Sequence, residues 1–348
     1  MSRLLTVVTI VVVCLLPAVV VHRACCQDYW TPAAPPGTDA AKMKTLDQVE
    51  PRIMISQLPF TITNAGSYYL SAPLFAGPSN GASGIIIMAD DVKLDMNGFA
   101  LNGTPTSGDG IAVTGQVHHN ITIRNGVVRG WAGYGINGTN AADAIIENVK
   151  AYMNGYAGIT AGEDSLVDSC ISNGNGLRNE PPGTGVFDDG IRVGSYSTVK
   201  DCKSRANRGA GIYARYGSKV SGCTAAQSIK ANGIFADDFC TIVDCTVMEN
   251  FNGGITCMNK CRVSANTCGN NMNSGILALG MSNRIENNNV AGNLNGILTQ
   301  APGNLVTCNS ASGNTNDFPL SSGDKFGAII TPQGGSISNN NPWSNFSF

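Results

Sequence analysis

The dipeptide Gly-Ile recurs at Gly84, Gly110, Gly135, Gly158, Gly190, Gly211, Gly233, Gly254, Gly275 and Gly296. The intervals are 26, 25, 23, 32, 21, 22, 21, 21 and 21 residues, so four of the last five are identical. A sustained period near 21 marks a repeat architecture, in which each unit buries its apolar face only against its neighbours. Within a unit, Ile follows the Gly and a small residue sits three after it, as in Val193, Ala214, Ala236, Cys257 and Ala278. An aliphatic stands near position nine, as in Val199, Val220, Ile242 and Val263. Cys or Asn stands at position twelve, as in Cys170, Cys202, Cys223, Cys245, Asn266 and Cys308. No apolar stripe of helical period accompanies this pattern. Alternation over three to five residues, broken by Gly and Asn, predicts several very short strands per unit.

One unit of ~21 residues holding three short strands makes one coil of a parallel β-helix, with equivalent positions stacked at ~4.8 Å. Gly at the start of each coil is expected to serve a bend of unusual φ/ψ. Asn at the corners tolerates the left-handed region and can hydrogen-bond along the stack. Residues 84–322 carry the repeats. Residues 51–83 are expected to cap the first coil, and 323–348 the last, with Trp343 and Phe346 closing the core. Upstream, Arg3 followed by the apolar run Leu4 to Val21 and the small-residue site Ala24-Cys25-Cys26 predicts a signal peptide over 1–26. Residues 27–50, rich in Pro, Ala and Gly, read as a linker or arm.

The 348-residue chain has 22 Lys+Arg against 24 Asp+Glu and only 13% charged residues. Loss of residues 1–26 removes Arg3 and Arg23, leaving 20 basic against 24 acidic side chains and a net charge of −4. That balance argues against a nucleic-acid partner, which needs clustered Lys and Arg. No run beyond residue 30 is long and apolar enough for a membrane span in the mature chain. Secretion, or a periplasmic or cell-surface location, is the expected destination.

Of twelve cysteines nine survive cleavage, and export permits disulfides. The stacked Cys170, Cys202, Cys223 and Cys245 are expected to be an inward column of small, soft side chains. Cys240 and Cys261, stacked at position seven, are the best candidates for a disulfide. Cys257, Cys261 and Cys268 lack the spacing and the nearby His of a zinc site. His118 and His119 precede the strand Ile121-Thr122-Ile123. As neighbours that would face opposite sides they are not expected to share a ligand and read as turn residues, and Asp90-Asp91 as structural acids.

Three features point to a site. The interval from Gly158 to Gly190 carries an insertion over 172–189, and insertions in a solenoid loop out from one face. Position two of each coil should point to solvent, which places Thr160, Arg192, Tyr213, Phe235, Thr256, Leu277 and Leu298 in one outward row. A cation among aromatics suits sugar rings bearing a uronate or sulfate. Two acid pairs, Asp188-Asp189 and Asp237-Asp238, can bind Ca²⁺ or perform acid–base work. On this reading Phe235, Tyr216, Asp188 and Asp189 contact substrate, and Asp237 and Asp238 are the metal candidates.

Units such as GIFADDFCTIVDCTVMENFN (233–252) and GITCMNKCRVSANTCGNN (254–271) resemble the right-handed parallel β-helix superfamily of pectin-lyase-like folds, over about residues 50–335. The resemblance implies an all-β, right-handed single-stranded parallel β-helix of about ten coils. It further implies a protein directed at an extracellular polysaccharide. In a polyuronate lyase of this kind, Arg192 or Tyr213 would take the C5 proton. Arg215, or Ca²⁺ as cofactor, would neutralise the uronate. The Asn-Thr-Asp, Gly-His-Gly and Arg-Ile-Lys motifs of polygalacturonases are absent, and Asp188-Asp189 matches only their bare Asp-Asp. The alternative is a non-catalytic extracellular glycan-binding or structural surface protein.

Overall fold

The computed structural model describes residues 51–77, 81–178, 188–332, 337 and 340–348, and every element among them is a β-strand. The Gly-Ile segments form an 11-stranded sheet running from Phe60–Ile62 to Asn295–Thr299. A 24-stranded sheet carries the two remaining strands of each coil. Pairing is parallel and in register, as where Ile191–Val193 lies on Ile212–Ala214 and that strand on Ile234–Ala236. The result is a right-handed parallel β-solenoid of about twelve turns. The count exceeds the expected ten because the segment expected to cap already coils. Ile53–Ile55 pairs with Gly66–Leu70, and Phe60–Ile62 pairs with Ile85–Ile87. At the other end Asn345–Ser347 lies on Ser310–Ser312, while Trp343 is 56% exposed and closes no core. The expected signal peptide, the arm, and residues 179–187 of the insertion lie outside the described residues.

Each coil turns three corners, and a left-handed residue makes each one. In the coil from Gly211 these are Gly217, Gly222 and Gln227; in the next they are Phe239, Asp244 and Glu249. The residue after each corner turns inward: Ser218, Cys223 and Ser228, then Cys240, Cys245 and Asn250, all buried. Stacked over the coils, these residues make three internal ladders. The Cys170–Cys202–Cys223–Cys245 column is one of them, and it continues as Asn266, Asn288, Asn309 and Asn345. Asn288 Oδ1 accepts both the backbone N–H and the side-chain amide of Asn266, at 2.9 and 3.0 Å. The backbone amides at the corners, which no strand can satisfy, thereby find partners inside the core.

Cys308 is not in this column, contrary to its sequence position. The coil from Gly296 takes seven residues to its first corner at Gly303, whereas the coil from Gly233 takes six to Phe239. The extra residue makes Cys308 a left-handed corner and gives the ladder place to Asn309. All nine described cysteines are free thiols, and eight of them are buried. The expected Cys240–Cys261 disulfide is not formed; Cys240 Sγ donates to Arg215 O at 3.1 Å and Cys261 Sγ to Asp237 O at 3.0 Å. Burial pushes the Cys268 thiol up, so it is a packed, inert SH group.

The glycines of the Gly-Ile pairs also have a cause other than the expected one. None has positive φ. What forbids a side chain is the next coil. A β-carbon at Gly110 would lie 2.6 Å from Gly135 O, at Gly190 2.6 Å from Gly211 O, and at Gly254 2.5 Å from Gly275 O. The backbone enters each strand of the 11-stranded sheet by touching the carbonyl above it. Position one, as in Ile191, Ile212 and Ile234, and position three, as in Val193 and Ala214, are wholly buried. Burying each Ile removes enough apolar surface to be worth roughly 1.5–3 kcal/mol. Position two is thereby turned outward.

Candidate functional site

The row forms in register as expected, Thr160 on Arg192, Arg192 on Tyr213, Tyr213 on Phe235, then Thr256, Leu277 and Leu298, but Thr160 and Thr256 are each only 2% exposed, so these two do not face solvent as expected. At its centre the side chains stack on each other. The Arg192 guanidinium lies 3.8 Å from the Tyr213 ring centroid, and Tyr213 and Phe235 are parallel-stacked at 5.0 Å and 20°. Both faces of the Tyr213 ring are therefore occupied within the protein.

The acids fix this stack from its two ends. Asp189 Oδ2 accepts Arg192 Nη1 at 2.9 Å, and its Oδ1 accepts the Ala210 amide at 2.8 Å. Burial pushes the Asp189 carboxyl up, against the pull of the guanidinium and the amide. Asp188 points elsewhere and pairs with Arg208 Nη1 at 2.9 Å. At the opposite end the Tyr213 hydroxyl donates to Asp237 Oδ1 at 3.0 Å. Burial, with the Asp237 charge second, pushes the Tyr213 phenol up. A phenol so held keeps its proton at neutral pH, so the expected role of Tyr213 as the base does not suit its surroundings. Arg192, ion-paired and stacked, is placed as a fixed positive charge.

The acid pair expected to hold Ca²⁺ diverges. Asp237 takes the Tyr213 hydroxyl, while Asp238 Oδ1 accepts the backbone N–H and the side-chain amide of Asn259, each at 2.9 Å. Among the described residues no three His, Cys, Asp or Glu side chains gather as a metal would need. These two carboxylates do not fit a calcium ion.

Two clefts flank Arg192. On one side a cleft of about 280 Å³ is lined by Asp188, Asp189, Arg192, Tyr213, Asn232 and Phe235. On the other a cleft of about 390 Å³ is lined by Val117, Thr139, Thr160, Glu163, Arg192 and Arg215. Arg215 is exposed and, among the described residues, forms no ion pair. The structure thus joins Arg192 to Tyr213 on one side and to Arg215 on the other. Glu163 is the residue that coil-by-coil counting missed. It stands five after Gly158, the offset at which later coils carry Tyr216 and Asp238. Aligning corners as well as strands would have found it.

Tyr216 does not join the row. It lies past the first corner, with its ring 5.6 Å from Tyr196 and 5.2 Å from Phe239. The histidines divide as expected. His118 is buried with Nδ1 2.9 Å from Asp90 Oδ1, and His119 is exposed with Nδ1 2.8 Å from Asp143. Among the described residues no helix is long and apolar enough to cross a membrane.

No curated protein matches the sequence. Among solved structures, the A-module of a mannuronan C-5 epimerase from Azotobacter vinelandii is similar, with 15% identity and a TM-score of 0.51 over 74% of this chain and 89% of that one. The Dettilon tailspike protein is 14% identical with a TM-score of 0.51, over 85% of this chain and 61% of its own. Geobacillus virus E2 ORF18 is 12% identical with a TM-score of 0.51, over 72% of this chain and 52% of its own. The chain therefore spans only about half to three-fifths of the length of these last two proteins. At such identities the likeness is one of fold. A sequence model described as the right-handed β-helix region matches residues 79–225 and 178–290, most of the chain, and with the parallel coils above it places the protein in the right-handed β-helix family.

Proposed function

We propose that the protein is a secreted, carbohydrate-directed β-helix that binds an acidic polysaccharide beside the Gly-Ile sheet. The observation that carries this reading is the cleft of about 390 Å³ lined by Arg192 and Arg215 together with Thr160 and Glu163. Arg215, which forms no ion pair among the described residues, can grip a uronan carboxylate by paired N–H donors, and the Asp189-bound Arg192 adds a fixed positive charge beside it. The mannuronan substrate of the epimerase whose A-module shares the fold supports the substrate class.

A catalytic form of this reading is a polyuronate lyase. The twin arginines favour it, because proton loss at C5 builds negative charge on the uronate that a nearby cation stabilises. With Tyr213 held protonated, that chemistry would draw its base from Glu163 on the same cleft.

The test is a panel of pectate, alginate and neutral glycans, with Ca²⁺ or a chelator. Binding is read alongside the ultraviolet absorbance of unsaturated uronide ends. Binding of acidic glycans that falls in Arg192→Ala and Arg215→Ala is the expected result. Absorbance that grows with time and is lost in Glu163→Gln would establish the lyase. Failure to bind any acidic glycan would overturn the proposal.

A further inference from the structure

Just past the cleft, the first corner of four successive coils carries a second line of side chains. Tyr196, Tyr216 and Phe239 meet ring to ring, at 5.6 Å edge-on and 5.2 Å tilted, and Lys260 Nζ lies 4.8 Å from the Phe239 centroid. Unlike Tyr213, these rings are open: Tyr196 is 60% exposed, Tyr216 41% and Phe239 44%. They cross at 79° and 51°, so they do not cover one another face to face.

The backbone beneath them is that of the other corners, but the side chains it carries are unusual. Tyr196 and Phe239 occupy the left-handed corner itself, at φ +59° and +61°. Bulky side chains are strained there, by about 1–2 kcal/mol. Equivalent corners hold Asp164, Gly217, Lys260 and Ser282, residues that are small, polar or flexible. Tyr216 sits one place earlier, and the glycine that follows it is required. A β-carbon at Gly217 would lie 2.9 Å from the Tyr196 ring. Two strained aromatics, with a third ring between them seated over a glycine, make a continuous open stack that folding does not require. Strain kept at exposed positions points to use.

We infer that this corner ladder is a glycan track that extends the arginine cleft, along which an acidic polysaccharide lies parallel to the solenoid axis. The inference rests on the proposed function and adds the direction and extent of the bound chain. Stacked coils repeat every ~4.8 Å, so successive rings offer a contact at each step along the axis. The C–H-rich face of a pyranose packs on an aromatic face, and the hydroxyls of Tyr196 and Tyr216 suit two of the three rings to stand in water. The charges at the two ends agree. Arg215 adjoins Tyr216 at the cleft, and Lys260 closes the far end. Asp238, the acid beside Phe239, is engaged by Asn259.

The test uses the whole protein and uronate oligosaccharides of increasing length, with affinity measured by calorimetry. Tyr196→Gly and Phe239→Gly remove the rings while placing at the corner the residue that Gly217 already supplies, so the fold is not put at risk. Phe75→Ala, exposed on the other sheet, is the control. The expected result is that affinity rises with length in the native protein and in the control. In the two glycine variants the rise flattens and the longest oligomers lose about ten-fold, while dimers bind as before. If the variants keep the full length dependence while Arg215→Ala abolishes binding, the track is overturned and the cleft stands. If the native protein binds no oligomer, both fall together.

Discussion

Tyr213 stands in the middle of the stacked row, between Arg192 and Phe235. Its hydroxyl donates to Asp237, one ring face carries Arg192 and the other Phe235. The upward shift of its phenol has a stability consequence with a definite sign. The folded state favours the protonated form more than the unfolded chain does. The resulting stability is fully present below the ordinary tyrosine value of about 10 and is lost as pH rises through the higher folded value. The advantage of the native protein over Tyr213→Phe should therefore shrink only above about pH 10, and urea denaturation at neutral and alkaline pH measures it. An advantage that already changes near pH 7 would mean a phenol poised as a base. The ladder residues make a second contrast. Asn288→Ala removes the acceptor for two N–H groups of Asn266 and two donors of its own, and should cost about 3 kcal/mol. Cys223→Ser exchanges a buried thiol for the hydroxyl that Ser197 and Ser218 already carry at another inward corner, and should shift stability by less than about 1 kcal/mol.

At the scale of the strand and its corner, two kinds of glycine do different work. At Gly110 a β-carbon would meet Val128 Cγ1 at 2.3 Å and Gly135 O at 2.6 Å; at Gly98, with φ +81°, it would meet nothing within 4 Å. Gly110→Ala should then cost about 3 kcal/mol through overpacking, and Gly98→Ala only about 1 kcal/mol through backbone strain. Thermal melts of the two variants, compared with the native protein, check the order. The spacing of Gly110 and its equivalents was plain in the sequence and led directly to the parallel coils. Their reason was not, because close approach to the next coil is a property of two coils together and leaves no local mark. The outward row was legible for the same reason as the fold: position two follows from strand alternation alone. The ring contacts of Tyr216 were not legible, because it lies past a corner, where alternation no longer says which way a side chain points. Cys308 was misplaced because one added residue before a corner shifts every later position of its coil. The thiol column was legible as small inward residues, whereas the free state of Cys240 and Cys261 depends on the carbonyls that their sulfurs meet.

Over the whole solenoid, contacts run only between neighbouring coils, so the molecule is close to one-dimensional in its energetics. The three internal ladders strengthen this, since each Asn reaches one coil forward through its neighbour's amide, as Asn250, Asn271 and Asn293 do in sequence. Damage in one coil should therefore stay local before it becomes global. Gly211→Val would press a branched side chain against Gly233 O, 2.6 Å from the β-carbon position, in the middle of the array. Hydrogen exchange should rise in the strands Ile191–Val193, Ile212–Ala214 and Ile234–Ala236, while strands such as Ile85–Ile87 and Asn295–Thr299 keep their protection. Mass-spectrometric exchange read by peptide tells the two cases apart: uniform loss of protection would mean that the coils unfold as one unit. The same locality bears on function. Arg192, Tyr213, Phe235 and the ring ladder all sit on the coils beginning at Gly190, Gly211 and Gly233, so the centre of the array combines the proposed binding surface with its supports. A variant that loosens these coils should lose glycan binding at temperatures where the terminal coils are still intact.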